Sequence, residues 1–503
     1  MITTLPNAQA AADWLRARQC THLRSDSRRV REGEGFIAWS GAHVDARDFV
    51  IGALDQGAAA ALVEAHACSA DMSQHWPSEA VAAIDDLKAQ AGAIADAFYG
   101  QPSRELNVVA ITGTNGKTSC AWWLAQALQA CDLPCGVIGT LGVGPIDQLS
   151  NTGLTTPQAV ELHDALAGMR EQGLRACAIE ASSIGIVEQR LQATQIRVAV
   201  FTNLTQDHLD YHGDMARYWA AKQQLFAWPG LQAAVINTDD AHGQPLAKQL
   251  AAESPAALDL WTYGTSPQAR LQALHIEAQA QGMRFDIHER GQSQGLRVVT
   301  PLIGHYNVLN LLAVLGSLRA LGIPLAQAVQ ACAHLSPVPG RLQAVAAKPT
   351  QALVLVDYAH TPDAVAQVLG ALRPVAQARG GQLWCVLGCG GDRDRAKRAP
   401  MAAAAEAHAD QVVLTSDNPR SEDPQAILEA MMVGLQQPAH AVCVDRGQAI
   451  ALAIAHAQPA DVVLIAGKGH EDYQEVKGQR LPFSDHDVAL AALHQGLSSR
   501  SHA

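Results

Sequence analysis

Gly113, Thr114, Asn115, Gly116, Lys117, Thr118 and Ser119 follow the apolar run Val108 to Ile111 and place two glycines, a lysine and hydroxyls at the end of a strand-like stretch. A glycine turn that hands a strand to a helix offers backbone N–H groups and the positive helix end to a phosphate. Lys117 would reach the β/γ oxygens of a nucleotide and Thr118 would put its hydroxyl on Mg²⁺. The spacing is compressed. Counted back from Gly116, the common phosphate-loop pattern needs a glycine at 111, where this chain has Ile111; the glycine stands at 113.

Other chemistry-bearing residues also follow apolar runs. Glu180, with Ser182 and Ser183, closes the run from Ala176, where a carboxylate could hold a metal at a strand end. Asp207, His208, Asp210 and His212 cluster after the run 197–201. Lys222 lies in Tyr218-Trp-Ala-Ala-Lys222 and, taken alone, reads as an exposed helix lysine. Asn307 stands near the start of an apolar helix, where it could cap the helix or reach a nucleotide. Arg341 follows Pro339-Gly340 and Asp357 closes another apolar run; alone, these are a linker turn and a strand-end turn. Three loops in the last third, Gly388 to Asp394 with Arg393, Asp417-Asn418-Pro419-Arg420, and Gly467 to Glu471, each follow a strand-like run and should open on one sheet edge.

The bulk composition narrows the classes. A chain of 503 residues exceeds one ordinary core, and about 100 to 200 residues per domain suggests three. A net charge of −12 argues against nucleic-acid or anionic-membrane partners. Ten cysteines without paired C-x-x-C spacing suggest neither a zinc site nor a disulfide framework, and a reducing compartment fits them. The N-terminus, interrupted by Asp13 and Arg16, does not look like a signal peptide, and no window offers the ~20 apolar residues of a membrane span. A soluble cytoplasmic protein, acting as a monomer, is expected.

These residues need a scaffold of sheets with covered faces. The pattern predicts an α/β chain of three domains: 1–97 small α/β, 98–336 a mostly parallel sheet carrying the phosphate loop, and 337–503 a second, Rossmann-like doubly wound sheet. Strands are expected at 108–111, 176–180, 197–201, 233–236, 353–356, 383–387, 411–414 and 462–466, and a helix over 80–98.

The compact T-G-T-N-G-K-T loop, together with the motifs at 180, 207–213, 222, 307, 341 and 357, resembles the Mur ligases and the related folylpolyglutamate synthetases, which join a carboxylate to an amine using ATP. The resemblance implies ATP bound by residues 113–119, Asn307, Arg341 and Asp357. It implies Mg²⁺ near Thr118, Glu180, His208 and a carbamylated Lys222, with Lys117, Glu180, His208 and Lys222 catalytic. The three C-terminal loops resemble the pocket of diaminopimelate-adding members, so Arg393, Asp417, Asn418, Pro419, Arg420, Gly467 and Glu471 would hold that amino acid, Arg420 taking the distal carboxylate and Glu471 the ammonium. A folylpolyglutamate synthetase would have no need of Asp417 to Arg420.

The same resemblance puts UDP-MurNAc-L-Ala-D-Glu against Ser25, Ser27, Ala42, His43 and Val44 at the nucleotide end. Thr155, Thr156, Ser182, Glu188 and Arg190 would take the sugar-peptide end. Leu154, Ile184 and Glu188 depart from the family's usual pattern there. The implied reaction phosphorylates the D-glutamate γ-carboxylate to an acyl phosphate, which an amine of meso-diaminopimelate attacks in peptidoglycan precursor synthesis.

Overall fold

The computed structural model describes residues 2–41, 44–66, 75–253, 258–279, 282–345 and 351–500. Ala42 and His43 of the expected nucleotide site, and Cys68, lie outside the described residues.

Three sheets follow one another along the chain. The first is parallel throughout, in the spatial order Thr3–Thr4, Val81–Ile84, Ala60–Glu64, Gly35–Ala38, Leu23–Arg24. This corrects the expected helix over 80–98. Val81–Ile84 is a fully buried strand between two others, and the helix begins only at Leu87, after Asp86 turns the chain at φ 52°. Alanines favour a helix in isolation, but the slot between two parallel neighbours overrides that local preference.

The second sheet has ten strands, ordered Leu296–Thr300, Gly282–Glu289, Leu271–Gln279, Asp259–Gly264, Ala233–Asn237, Val198–Phe201, Asn107–Thr112, Ala176–Glu180, Cys135–Gly139, Gly142–Gly144. Its middle is parallel, while Leu271–Gln279, Gly282–Glu289 and Leu296–Thr300 pair antiparallel at one edge, an extension that helix–strand alternation did not announce. Side-chain alternation explains the two covered faces. Val109 and Ile111 enter one core cluster, whereas Val108 and Ala110 enter the other.

The chain leaves Asn107–Thr112 for a strand two places away, returns through Ala176–Glu180 on one flank, and then crosses to Val198–Phe201 on the other. That reversal leaves a crevice beyond the central strand's C-terminal end. Register brings Thr112 opposite Phe201 and Ile111 opposite Glu180, so the loops after all three strands open together.

The third sheet is ordered Gln343–Ala344, Leu353–Asp357, Val462–Ala466, Leu383–Leu387, Gln411–Thr415, Ala441–Cys443, parallel except for its first short strand. Asp357 and Leu387 both align with Ala466, so the loops after these strands share one edge as expected. Tyr473–Val476 and Gln479–Pro482 add a separate two-stranded hairpin.

Candidate active site

Close approach explains both loop glycines. Gly113 has φ 149° and a Cβ there would run into Thr202 Oγ1; Gly116 has φ 86° and a Cβ would run into Asn310 Oδ1. The helix Lys117–Ala130 starts directly after Gly116. The neighbouring strand end clamps the short loop: Asn115 N donates to Asn203 Oδ1 at 2.9 Å, and Thr202 Oγ1 donates to Asn115 O at 2.7 Å. Thr202, Asn203 and Asn310 are thus part of the site although the sequence reading gave them no role. No sequence signal marked them, because they reach the loop from 87 or more residues away in the chain.

Lys117 Nζ folds back onto Gly113 O and Thr114 O at 2.9 and 2.8 Å. Burial lowers its pKa, against the pull of Glu180 and Asp207. Thr118 Oγ1 donates to Glu180 Oε2 at 2.9 Å and accepts from Arg341 Nη2 at 3.1 Å. Glu180 Oε1 accepts from Thr140 N at 2.8 Å. Lys222, 1% exposed, donates to Gly113 O at 2.8 Å, and its ammonium lies 4.3 Å from the Tyr218 ring centre. Burial and then Lys117 hold its pKa well below the ordinary lysine value. It is therefore not the exposed helix lysine that its sequence alone suggests.

His208 sits at φ 54° with Nε2 3.5 Å from Asp207 Oδ2, and burial lowers its pKa. Burial would raise the pKa of Asp207, but His360, His208 and Lys397 outweigh it and hold the carboxyl at about 2. His360 Nε2 lies 3.8 Å and Lys397 Nζ 3.9 Å from this carboxylate, both reaching it from the third sheet's side. Lys397 was not anticipated: its partner is nearly two hundred residues away in sequence.

Asn307 donates to Ile303 O at 2.8 Å and accepts from Asn310 Nδ2 at 3.1 Å, while Gly304 occupies the cap. Asp357 accepts from Leu342 N at 2.7 Å and Ala359 N at 2.8 Å, so it fixes the turn that carries Arg341. Arg341 lies over the Tyr358 ring at 4.5 Å, and its buried Nε has no partner.

Three cavities meet here. One of about 710 Å³ is lined by Asn115, Gly116, Ser119, Asn307, Arg341 and Asp357 among others. A small chamber of about 130 Å³ holds Lys117, Thr118, Glu180, His208 and Lys222. The third, about 700 Å³, runs from Thr155, Thr156, Ser182 and Arg190 to Arg393, Asp417, Asn418, Arg420, Gly467 and Glu471. Tyr358 and His360 line all three. The structure therefore places Lys117 and Arg420 on adjacent cavities that share lining residues from the second and third sheets.

At the wall nearest the chamber, Thr156 Oγ1 donates to Glu180 O at 2.7 Å and meets Ser182 Oγ at 2.9 Å. Arg190 donates to Thr156 O at 3.1 Å and keeps a buried Nε without a partner. Ser25, Ser27, Val44 and Glu188 lie outside this cavity. Ser25 donates from N and Oγ to Glu161, at 2.8 Å each; Ser27 opens a short turn; Val44 is 59% exposed. Glu188 is taken by Lys88 at 2.8 Å and Tyr211 at 2.7 Å.

At the far wall, Gly467 has φ 116°, and a Cβ would come within 2.5 Å of Asp417 Oδ2. Arg420, at φ 52°, is held by the hairpin: its N donates to Glu475 O at 2.9 Å and its O accepts from Lys477 N at 2.6 Å. Its Nη1 donates to Gly391 O at 2.7 Å, which closes Pro419 and Gly391 against each other. Arg393 is exposed at the rim.

The donor set fits a nucleotide and a magnesium ion. The loop amides, Lys117 and the unpaired Arg341 Nε suit phosphate oxygens, and Thr118 with Glu180 offers hard oxygen ligands. Among the described residues no three His, Cys, Asp or Glu side chains converge on one point. Thr118 and Glu180 would hold a magnesium ion together with oxygens from water and substrates.

Comparison with known proteins agrees with this geometry. Family models for the Mur ligase middle domain and for the Mur ligase glutamate ligase domain match residues 111–318 and 340–469. A UDP-N-acetylmuramoyl-L-alanyl-D-glutamate–2,6-diaminopimelate ligase of Acidovorax sp. (strain JS42) is 53% identical over 97% of this chain and 98% of its own. The chain belongs to the Mur ligase family. A second Mur ligase of the same name, from Janthinobacterium sp. (strain Marseille), is 46% identical over 98% of both chains. A solved structure of a ligase of that name shares 35% identity at TM-score 0.65, covering 96% of each chain. The Mur ligase fold extends to the MurF ligase of Thermotoga maritima in complex with ADP, at 18% identity and TM-score 0.65.

Proposed function

We propose that this chain is the ATP-dependent ligase that adds meso-diaminopimelate to the D-glutamate γ-carboxylate of UDP-MurNAc-L-Ala-D-Glu. The observation that carries this is that three cavities share walls: the phosphate loop lines a small charged chamber, whose residues Thr155, Ser182, Asp207 and His208 also line a pocket that contains Arg420 and Glu471.

A carboxylate is a poor electrophile because its leaving group would be oxide. Transfer of the γ-phosphoryl group turns that oxygen into part of phosphate, a good leaving group. Lys117 and the loop amides orient the donor phosphates, Arg341 closes over them from the third domain, and His208 faces the transferring group. Thr118, Glu180 and a carbamylated Lys222 would hold magnesium, which supplies charge neutralisation between phosphate and carboxylate oxygens. The low pKa of Lys222 supports carbamylation, since only a neutral amine attacks CO₂. Thr155, Thr156, Ser182 and Arg190 position the glutamyl end. An amine of diaminopimelate then attacks the acyl carbon, phosphate leaves, and the amine gives up a proton.

Residues 1–97, with Ser25, Ser27 and the segment 42–44, take the UDP end; residues 98–336 take ATP; residues 337–503 take the amino acid. The enzyme works as a monomer in the cytoplasm. No described helix is long and apolar enough to cross a membrane. Phosphate release with ATP and the UDP-dipeptide tests the proposal: it should require meso-diaminopimelate and be far slower with L-lysine. Equal rates with both amino acids would refute it.

A further inference from the structure

Lys468 was given no role by its sequence, yet it is 0% exposed and lies behind Asn418 and Glu471, two residues that line the amino-acid end of the third cavity. Its Nζ donates to Glu471 Oε2 at 2.8 Å and to Asn418 Oδ1 at 3.1 Å, and lies 5.4 Å from the Tyr473 ring centre. Asn418 Oδ1 also accepts from Glu475 N at 2.9 Å. With two donors on its oxygen, the amide can face only one way, and Asn418 Nδ2 donates to Glu471 Oε2 at 2.7 Å.

One carboxylate oxygen, Oε2, is thereby saturated by two donors. Among the described residues Oε1 has no hydrogen-bond partner. Arg420 is constrained in the same fashion, with Nη1 on Gly391 O and Nε 3.7 Å from Glu475, while Nη2 has no hydrogen-bond partner among the described residues. The hairpin Tyr473–Pro482 supports both, because Glu475 touches Asn418 and Arg420 together and Gln474 donates to Asp417 O at 2.6 Å.

Resting on the functional reading above, we propose that Lys468 is a positioning residue for amino-acid specificity. It locks Glu471 and Asn418 so that Glu471 Oε1 alone receives the distal ammonium of diaminopimelate while Arg420 Nη2 receives the distal carboxylate. Ammonium and carboxylate sit on one carbon of that substrate, so two fixed contacts, with the chain toward the reacting amine as the third fixed direction, also discriminate the handedness of that centre.

A fold-only role explains the lysine less well. Burying an ammonium beside a carboxylate is often no better for stability than packing an apolar side chain of the same size. Its defined benefit is orientation.

Steady-state kinetics on the full-length enzyme test this with Lys468→Met, Glu471→Gln and the double variant. Each single change should raise KM for meso-diaminopimelate about tenfold or more, while KM for ATP and for the UDP-dipeptide stays within about twofold. The double variant should be no more than about threefold worse than Glu471→Gln, because the lysine acts through that carboxylate.

Equal rises in all three KM values, or single losses that multiply in the double variant, would overturn the proposal. Should Lys468→Met fail to fold, Lys468→Gln decides instead: a rise confined to diaminopimelate supports the role and an unchanged KM overturns it. Wild-type enzyme inactive on diaminopimelate would defeat the functional reading and this inference with it, whereas an active wild type with unchanged variants defeats the inference alone.

Discussion

Arg341 and Thr118 are 223 positions apart in the chain and meet at 3.1 Å, guanidinium to hydroxyl, across the boundary between the second and third sheets. Thr118 is also the partner of Glu180, so the third sheet's contribution ends on the same atom as a candidate magnesium ligand. Arg341→Ala should lower kcat/KM for ATP by about 30-fold or more, the loss expected of one charge-assisted contact to a phosphate. Arg341→Lys should restore little, since a lysine can neither fork nor lie flat on Tyr358. Initial rates against ATP at saturating co-substrates give the answer.

Arg420 is held at φ 52° by backbone bonds on both sides, so its guanidinium is placed by the main chain rather than by its rotamer alone. Arg420→Ala should cut kcat/KM for diaminopimelate by about 100-fold while leaving KM for ATP within about twofold. Equal losses for both substrates would show that the residue serves the fold and not the amino acid.

Lys222 predicts an effect on stability with a definite sign. Its folded-state pKa lies well below the unfolded value, so the unfolded chain binds more protons and the unmodified protein gains stability as pH rises toward the ordinary lysine range. Lys222→Met should therefore raise Tm in bicarbonate-free buffer, and more at pH 6 than at pH 9. Bicarbonate should narrow the gap, with the mass of one added CO₂ appearing on the peptide that contains Lys222. The same variant should lose at least about 100-fold in kcat, because no carbamate can form.

Asp207 has the opposite sign. Its pKa is depressed to about 2, so its contribution is complete above the ordinary carboxylate value near 4 and is lost as pH falls through 2. Asp207→Asn should cost about 2 kcal/mol at pH 7 and progressively less below pH 4, read from urea unfolding. His360 and Lys397 reach Asp207 from the third domain, so the variant should also broaden the unfolding transition as the two domains uncouple.

Much of the site could be read in the sequence because each chemical residue follows an apolar run. Glu180, the loop at 113–119 and the loops after 387, 415 and 466 all lie at parallel strand ends, and the near-continuous apolar runs of strands buried on both faces reveal such ends. Residues that meet only across long stretches of chain were hidden. Lys397 faces Asp207, Lys468 faces Asn418, and Asn310 abuts Gly116, none through a local pattern. Val81–Ile84 was misread as helix because its alanines carry no strand signal until two neighbours bury them. Arg341 and Asp357 were legible as a pair only through family resemblance; the bond from Leu342 N to Asp357 supplies the physical reason.

The central claim is that the acyl group is activated in the small chamber before the amine from the Arg420 pocket reaches it. Isotope transfer tests it most directly. With UDP-MurNAc-L-Ala-D-Glu carrying ¹⁸O in the γ-carboxylate, a single turnover with ATP and meso-diaminopimelate should release phosphate bearing one ¹⁸O atom, because that oxygen leaves with the phosphoryl group. Unlabelled phosphate, with amide formed, would contradict the account.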